Sequence, residues 1–388
     1  MRILCFTSRV PWPLEKGDKL RIHHQLKELS AKHEIILCAV HDEAIHKDAR
    51  AELGKFCTEM HFVHHNYLDL IINMLRAFLT GKPLQVGYFS SRKAKKVFDQ
   101  IIRDKKPDRI YCQLIRTAEY VRGNEHVAAT IDYMDVFSKG VERRIDKVNF
   151  LKRILFRMEW KRLVRYEREV FSRFKKHCII SEQDLALLPI DKKEDVAIIP
   201  NGVDTDFFKP LDHKKEFELL FNGNMNYPPN VESVIYIVKR ILPIVWKTKP
   251  NVRLLISGAT PSNEVLQLAS EKVIITGWVD DVRESFARSR ILVAPMQSSI
   301  GLQNKILEAM AMKIPCITTS LSNNAVKAIP DKQILVADSP EQFANYIHLL
   351  LEYPDKAQQL GENGYALVHE KFNWTNTTNE LEKLIVSA

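Results

Sequence analysis

The sequence has 388 residues, of which 45% are hydrophobic and 27% charged, and its formal net charge is +9. This composition is typical of a soluble globular protein, and the length favours two or three domains over one. No run of eighteen apolar residues occurs, which excludes a transmembrane helix. The first residues predict a strand and lack the pattern of a secretory signal, so we expect a cytoplasmic protein. The six cysteines are scattered singly, which indicates buried reduced thiols and no metal site.

Short apolar segments alternate with helical patterns along the chain. In the first half the predicted strands are Ile3–Thr7, Ile35–Val40, Met60–Val63, Arg109–Cys112, Ala128–Ile131 and Cys178–Ile180. A second series follows: Glu218–Phe221, Arg253–Ile256, Val273–Thr276, Ile291–Ala294, Cys316–Thr318 and Gln333–Val336. Strands separated by helices indicate parallel sheets with right-handed crossovers. The predicted fold class is therefore α/β, with two Rossmann-like doubly wound domains, residues 1–183 and 184–370, that face a cleft where ligands bind.

Most of the positive charge lies in one segment. Residues 139–177 contain fourteen Lys or Arg and five Asp or Glu, and within them 150–166 has apolar residues at helical spacing. One interpretation is an ordinary surface helix, and the other is a basic face that meets an anionic membrane from the cytoplasmic side. A basic stripe is also typical of nucleic-acid binding, but no nucleic-acid motif accompanies it, so we expect no nucleic-acid partner.

A second apolar helix is predicted for residues 67–79, closed by Gly81 and Pro83. It is far too short to span a bilayer. Its apolar surplus suits either a helix of the core or the edge of a site for a lipid-linked acceptor.

The most informative motif follows the predicted strand Ile291–Ala294 and opens a helix at residues 298–312. Gly301 allows a ligand to approach the backbone closely, and the free N–H groups of a helix start can bind an anion. Glu308 is a single carboxylate in an apolar helix, and burying it is costly unless partners compensate. Its predicted function is to accept hydrogen bonds from a pair of sugar hydroxyls, as ribose-binding carboxylates do. The alternative is an exposed charge on a partly wet helix.

The loop after the first strand, residues 8–21, carries Gly17 and three basic residues, Lys16, Lys19 and Arg21. A glycine before a helix start, with basic neighbours, indicates a second phosphate-facing loop, although an ordinary strand-to-helix loop has the same appearance. Asp132 follows another predicted strand directly. We predict that it orients or deprotonates an acceptor hydroxyl, with helix capping as the alternative.

These motifs together resemble those of glycosyltransferase family 4, which has the GT-B fold. The resemblance rests on three segments of the second half: 201–210, which reads NGVDTDFFKP, 277–282, which reads GWVDDV, and 301–312. The opening loop and the segment 224–230, which reads NMNYPPN, resemble the corresponding segments of a bacterial subgroup of this family that acts in exopolysaccharide synthesis.

The resemblance implies a retaining, hexosyltransferase-type enzyme that takes a sugar from a nucleoside-diphosphate sugar and requires neither metal nor cofactor. The acceptor would be a saccharide or a lipid-linked molecule bound on the side of the first domain. It also implies that the tail, residues 371–388, packs back on that domain. In the donor site, Glu308 would bind the ribose, Val279 would lie near the base, and Gly17 would approach the phosphates. The diphosphate would lie at Gly301, Leu302, Gln303 and Asn304.

The chain departs from the family pattern at three places. Relatives often carry a second glutamate where this chain has Ile300, and a histidine where it has Asp132. Many have a basic pair that clamps the diphosphate after the first strand of the second domain, where this chain has Asn222, Gly223 and Asn224. Without that clamp, the leaving group must be neutralised by Lys305, by helix amides or by basic residues of the opening loop, including Arg21.

The predicted mechanism is a front-face transfer in which the departing diphosphate oxygen helps to accept the proton of the incoming hydroxyl. A nucleotide-sugar epimerase of the same fold, or a non-catalytic partner in a polysaccharide assembly complex, are the alternatives. A nicotinamide dehydrogenase is excluded because neither half has a Gly-x-Gly-x-x-Gly turn after its first strand.

Overall fold

The computed structural model describes residues 1–298 and 301–387, which form two compact units. The first comprises Met1–Pro200 and the segment that begins at Thr377, and the second comprises Asn201–Asn376. Each unit has one wholly parallel sheet with helices between the strands. The predicted fold class, two Rossmann-like α/β domains, is confirmed. All twelve predicted strands are present, with ends that differ by no more than two residues from the predicted ones.

The first unit is built on a seven-stranded sheet in the order β3-β2-β1-β4-β5-β6-β7. Its strands are β1 (Arg2–Thr7), β2 (Glu34–His41), β3 (Glu59–His64), β4 (Arg109–Gln113), β5 (Ala128–Asp132), β6 (Lys176–Ile179) and β7 (Val196–Ile198). Its helices are α1 (Gly17–Ser30), α2 (Ala49–Leu53), α3 (Tyr67–Thr80), α4 (Leu84–Phe89), α5 (Arg92–Lys105), α6 (Phe137–Glu142), α7 (Phe150–Arg173) and α8 (Glu182–Leu187). A 3₁₀ segment, Ile115–Val121, follows β4.

The second unit has a six-stranded sheet in the order β10-β9-β8-β11-β12-β13. Its strands are β8 (Phe217–Asn222), β9 (Leu254–Ser257), β10 (Val273–Ile275), β11 (Ser289–Ala294), β12 (Cys316–Thr318) and β13 (Leu335–Val336). The helices are α9 (Pro228–Tyr236), α10 (Leu242–Val245), α11 (Asn263–Leu266), α12 (Val282–Ala287), α13 (Asn304–Ala311), α14 (Ser320–Val326), α15 (Pro340–Glu352), α16 (Pro354–Lys371) and α17 (Trp374–Val386). In both sheets the strand order reverses beside the unit's first strand, so each has one switch point where a crevice opens at the carboxyl edge.

Both faces of each sheet are covered by apolar packing. Successive side chains of a strand point to opposite faces, so Ile3 and Cys5 of β1 join one core cluster while Leu4 and Phe6 join another. Strands buried on both faces require continuous apolar runs, which is why the sequence revealed them so clearly. All six cysteines are buried and unpaired, as their spacing predicted.

The first unit ends at Pro200 rather than at residue 183. The reason is β7, a three-residue strand that pairs with β6 and extends the first sheet. Its residues, Val196–Ile198, lie between the predicted strands Cys178–Ile180 and Glu218–Phe221, where the sequence pattern predicted no strand.

Helix α17 starts in the second unit and ends in the first. Leu381 and Ile385 are fully buried in the same core cluster as Ile22 and Leu26 of α1. The Glu382 carboxylate lies 2.6 Å from Lys32 Nζ and 3.0 Å from His33 Nε2. The end of the chain is therefore an integral part of the first unit's core.

Candidate functional site

Two glycines bring the strand-exit loops of the second sheet unusually close together. A Cβ added at Gly258, after β9, would lie 1.8 Å from the carbonyl oxygen of Gly223, after β8. Both glycines have positive φ angles, 139° and 153°, which other residues rarely adopt. The Gly223 N–H donates to the Ser257 carbonyl, which ties the two loops together. Only glycine fits either position, so the sequence there is dictated by this close approach.

The side chains of Asn230 and Lys305 meet beside Gly223. The Asn230 Nδ2 donates to the Asn224 carbonyl at 2.9 Å, and its Oδ1 accepts from Lys305 Nζ at 2.7 Å. Lys305 also lies over the ring of Phe221, 4.7 Å from its centroid. Lys305 lies in the first turn of α13, which follows β11. Its side chain crosses the switch point between β11 and β8 and reaches the exit loop of β8, where the sequence lacks a basic clamp.

Glu308 lies one turn further along α13. Ile306, Leu307 and Ala309 around it are completely buried, whereas Glu308 keeps partial exposure. Dense protein around the carboxyl group raises the pKa of Glu308 to about 7, and the charge of Lys305 opposes that rise. Burial likewise lowers the pKa of Lys305 to about 8. The site therefore holds two ionisable groups whose pKa values lie close to neutral pH, which is typical of functional sites.

The described part of the segment that leads into α13 has the features of an anion site. Gly301 has a φ of 111°, and no side-chain hydrogen bond from Gln303 caps the helix. The Oδ1 atom of Asn304 is buried without a hydrogen-bond partner among the described residues. Leu302 is partly buried beside the core of the unit. Ile300, the position where relatives carry a second glutamate, lies outside the described residues.

Val279 lies at the same edge of the sheet, in the loop after β10. It is partly buried, and the loop is held by a hydrogen bond from the Gly258 N–H to the Gly277 carbonyl. The structure thus brings Gly223, Val279, the Gly301 loop, Lys305 and Glu308 to one carboxyl edge. Asn224 is exposed there, and its Oδ1 accepts hydrogen bonds from Asn226 N–H and Thr260 Oγ1.

The opening loop of the first unit has only part of the predicted arrangement. A Cβ at Gly17 would meet no atom within 4 Å, so the fold does not require a glycine at this exposed position. Lys16 lies 3.4 Å from the Glu43 carboxylate, and Lys19 is buried. The three basic residues therefore do not form one phosphate-facing cluster.

Arg21 and Asp132 lie in the interior and bind one another. Both side chains are completely buried, and Arg21 Nε donates to Asp132 Oδ2 at 2.7 Å. Arg21 also donates to the carbonyls of Ile199 and Pro200, and Asp132 accepts from the hydroxyl of Tyr111. The carboxylate of Asp132 raises the pKa of Arg21, although burial opposes that shift.

This geometry corrects two site predictions. Neither donor binding by Arg21 nor catalysis by Asp132 agrees with side chains that have no exposure and are bound to each other. Their contacts instead fasten α1 to β5 and to the end of the first unit.

The switch point of the first sheet holds two arginines that sequence reasoning missed. Arg9 follows β1 and Arg116 follows β4, and both guanidinium groups lie over the ring of Phe89. Arg9 pairs with Asp18 at 2.5 Å. Burial lowers the pKa of Arg116 to about 10, and Arg9 adds to that effect. Arg9 lies in the opening loop, residues 8–21, but no local pattern around Arg116 indicates its partners.

Across residues 1–298 and 301–387, no three His, Cys, Asp or Glu side chains converge to hold a metal ion. Over the same residues, every helix is too short or too polar to cross a bilayer.

Residues 216–353, which include β8 and α13, match the family model described as Glycosyl transferases group 1. The matched segment resembles these transferases, covers a little over a third of the chain and contains Gly223, Lys305 and Glu308. Along the whole chain, an uncharacterized 44.6 kDa protein in the cps region of Klebsiella pneumoniae is 21% identical, over 96% of each sequence.

Solved structures resemble the whole chain as well. Sucrose-phosphate synthase from Thermosynechococcus elongatus has a TM-score of 0.69 at 15% identity, covering 99% of this chain and 98% of its own. Anabaena Alr3699/HepE in complex with UDP has a TM-score of 0.69 at 13% identity, covering 99% of both chains. At these identities the likeness shows the fold, which is GT-B.

The structural role of Arg21 gives a stability prediction. Arg21→Met leaves the Asp132 carboxylate buried and unpaired, so we expect the free energy of unfolding to fall by about 3–5 kcal/mol. The double variant Arg21→Met with Asp132→Leu removes both charges and should be less destabilised than Arg21→Met alone. Denaturant unfolding followed by tryptophan fluorescence measures the difference.

The matched control is Arg288→Met, which breaks a comparable pair with Glu216 on the surface. Exposed pairs contribute little, so its cost should stay within about 1 kcal/mol. An Arg21→Met protein with normal stability but weakened UDP binding would instead support the original donor-binding role.

Proposed function

We propose that the protein is a retaining glycosyltransferase that moves a sugar from a nucleoside-diphosphate sugar to a hydroxyl acceptor in the synthesis of a bacterial surface polysaccharide or exopolysaccharide. The observation that carries the proposal is the meeting of Lys305, Asn230 and Gly223 at the switch point of the second unit, with Glu308 one turn away. The fold shared with a UDP complex supports a uridine diphosphate donor, and the relative in a cps region supports the polysaccharide context.

The proposal assigns each group a part in donor binding. The Glu308 carboxylate accepts hydrogen bonds from the two ribose hydroxyls, and its residual exposure leaves it accessible to them. The base lies against Val279 in the loop after β10, and the diphosphate lies against the Gly301 loop and the start of α13. The acceptor, a saccharide or a lipid-linked molecule, binds to the first unit.

Lys305 replaces the missing basic clamp in this proposal. Its ammonium already lies at the β8 exit loop, held by Asn230, where relatives carry basic residues on the loop itself. Burial removes water from the Lys305 ammonium and so lowers its pKa. A bound diphosphate stabilises the charged lysine in place of that water, so this buried cation gains more from the ligand than an exposed one would. Fixed charge of this kind stabilises the negative charge that develops on the leaving group.

The sugar is then transferred on the face that the diphosphate leaves. An oxygen of the departing diphosphate accepts the proton of the acceptor hydroxyl, so the chemistry needs no protein base. Asp132 is bound to Arg21 in the interior, which agrees with a route that does not use it. Neither a metal nor a cofactor has a part in this scheme.

The reaction itself is tested by incubating the purified protein with UDP-glucose, with other UDP-hexoses and with a panel of saccharide and lipid-linked acceptors. Proton NMR of the product should show the anomeric configuration of the donor retained. Conversion of the donor in the absence of acceptor would instead support an epimerase, and an inverted product would refute the retaining mechanism.

The carboxylate at position 308 gives a binding prediction. Glu308→Ala removes hydrogen bonds to a charged acceptor, each of which contributes about 1.5–3 kcal/mol, so UDP affinity should fall at least about tenfold. Isothermal titration calorimetry with UDP measures it. Glu264→Ala removes an exposed carboxylate from α11 of the same unit and should leave the affinity unchanged. If Glu308→Ala binds UDP with unaltered affinity, Glu308 does not bind the ribose.

The lowered pKa of Lys305 gives a pH dependence. A diphosphate prefers the charged lysine, and the free protein loses that charge as the pH rises through about 8. UDP affinity should therefore decrease by up to tenfold as the pH rises from about 8 to about 9, a range in which the diphosphate of UDP keeps its charge. Lys305→Met should bind UDP more weakly and without this dependence. A wild-type affinity that stays constant across this range would argue against Lys305 as the clamp.

A further inference from the structure

Helix α3 presents an apolar face to solvent along its whole length. Its exposed large side chains recur at helical spacing: Tyr67, Leu68, Ile71, Ile72, Leu75, Phe78 and Leu79. Leu68, Leu75 and Leu79 are 69%, 57% and 82% exposed. An apolar patch of this size on a soluble protein marks an interaction surface.

The exposure of this face is fixed by packing on the opposite side of the helix. There α3 lies against α4, and a Cβ at Gly87 would be 2.3 Å from the Cβ of Ala77. Leu70 is buried on the same inner side. Because the two helices are in such close contact, α3 cannot turn its apolar face inward without losing these contacts.

The first half of α7 carries a second group of exposed apolar side chains. Phe150, Leu151, Ile154 and Leu155 are exposed. Leu151, Leu155 and Arg162 lie on one stripe of this helix, and Arg162 stacks on the Phe78 ring of α3 and donates to the Phe78 carbonyl. Arg165 donates to the Gly81 carbonyl just beyond α3. These bonds join the two helices at the carboxyl end of α3.

The charge on this part of α7 is entirely of one sign at the surface. Residues 150–166 contain six Lys or Arg and one acid, Glu159. Glu159 is buried and accepts hydrogen bonds from the backbone N–H groups of Leu84 and Gln85. Elsewhere in the basic segment 139–177, Lys139 and Arg173 form ion pairs with nearby glutamates. None of the six cations of 150–166 forms an ion pair among the described residues, so uncompensated positive charge lies beside the exposed apolar residues of α7.

A basic pocket opens beside α3. Its volume is about 320 Å³, and it is lined by one acid, Glu119, and five cations: Arg76, Lys82, Arg92, Lys95 and Arg122. Lys82, Lys95 and Arg122 form ion pairs. Arg76 and Arg92 form none among the described residues. On α3 the lining residues Asn73, Arg76, Ala77 and Thr80 form the stripe next to the apolar one.

The amino end of α5, which borders this pocket, has the reverse of the usual charge preference. Four of its first five residues are basic, Arg92, Lys93, Lys95 and Lys96, and its first turn has no acid. Cations at the positive end of a helix dipole are unfavourable. A bound anion in the pocket would compensate this charge.

We propose that α3 and the first half of α7 dock onto an anionic lipid bilayer, with the phosphate of a lipid headgroup bound in the pocket lined by Arg76 and Arg92. The exposed apolar side chains enter the interface between headgroups and acyl chains, and the cations of α7 face the charged surface. This surface differs from the one expected from the sequence, since it adds α3 and keeps only the first half of α7 from the segment 139–177.

Vesicle co-sedimentation of the whole protein tests the apolar face. It should bind vesicles of phosphatidylglycerol with phosphatidylcholine and bind phosphatidylcholine alone far more weakly. Leu75→Glu should lower the binding more than about tenfold, because it puts a charge into the apolar contact. Leu266→Glu changes a leucine of similar exposure on α11 and should have no effect.

The pocket is tested with a pair of variants on one helix. Arg92→Gln should weaken binding to the anionic vesicles about fivefold, the contribution of one cation near such a surface. Arg103→Gln makes the same change in charge at the exposed far end of α5, outside the pocket, and should have a smaller effect.

Three results would overturn the proposal. If the protein binds anionic vesicles no more tightly than neutral ones, or does not bind them at all, an anionic bilayer is not the occupant of this surface. If Arg92→Gln and Arg103→Gln lose equal affinity for the anionic vesicles, the pocket does not bind a lipid headgroup. A protein that self-associates without lipid, and becomes monomeric on Leu75→Glu by light scattering, would show that the face binds a second copy of the chain.

Discussion

The close approach of Gly223 and Gly258 determines the candidate donor site. Two strands of a parallel sheet end side by side, and their exit loops touch because Gly258 carries no side chain at the point of contact. This brings the β8 loop within reach of a lysine on α13, which enters from the other side of the switch point. A larger residue at Gly258 would separate the loops, whereas a Cβ at Gly223 would lie 2.6 Å from Asn230 Nδ2 and would displace the lysine's partner.

The fold was predictable because parallel strands buried on both faces need apolar runs that are visible in the sequence. The exception, β7, is only three residues long, and its residues are partly exposed. The residues at the edge of the second sheet were predictable for a related reason, since Glu308 and Lys305 are polar residues in an otherwise apolar helix that follows a strand. Local contrast of this kind needs no knowledge of distant contacts.

The first unit shows where such reasoning stops. Arg21 and Asp132 are separated by 111 residues, and the sequence pattern put each of them at the exit of a strand, where functional residues collect. Nothing local indicates that they bind one another in the interior. Arg116 was missed for the opposite reason, because its surroundings, Phe89 and Phe137, come from separate elements that only the folded chain brings together.

Helix α17 has a consequence for biosynthesis. Leu381 and Ile385 belong to the core of the unit whose first strand is made some 370 residues earlier, about 20–75 s before at ordinary ribosomal rates. The amino-terminal unit therefore emerges with a gap in its apolar packing, beside α1. That gap stays exposed until α17 leaves the ribosome, and a chain truncated before α17 would keep it.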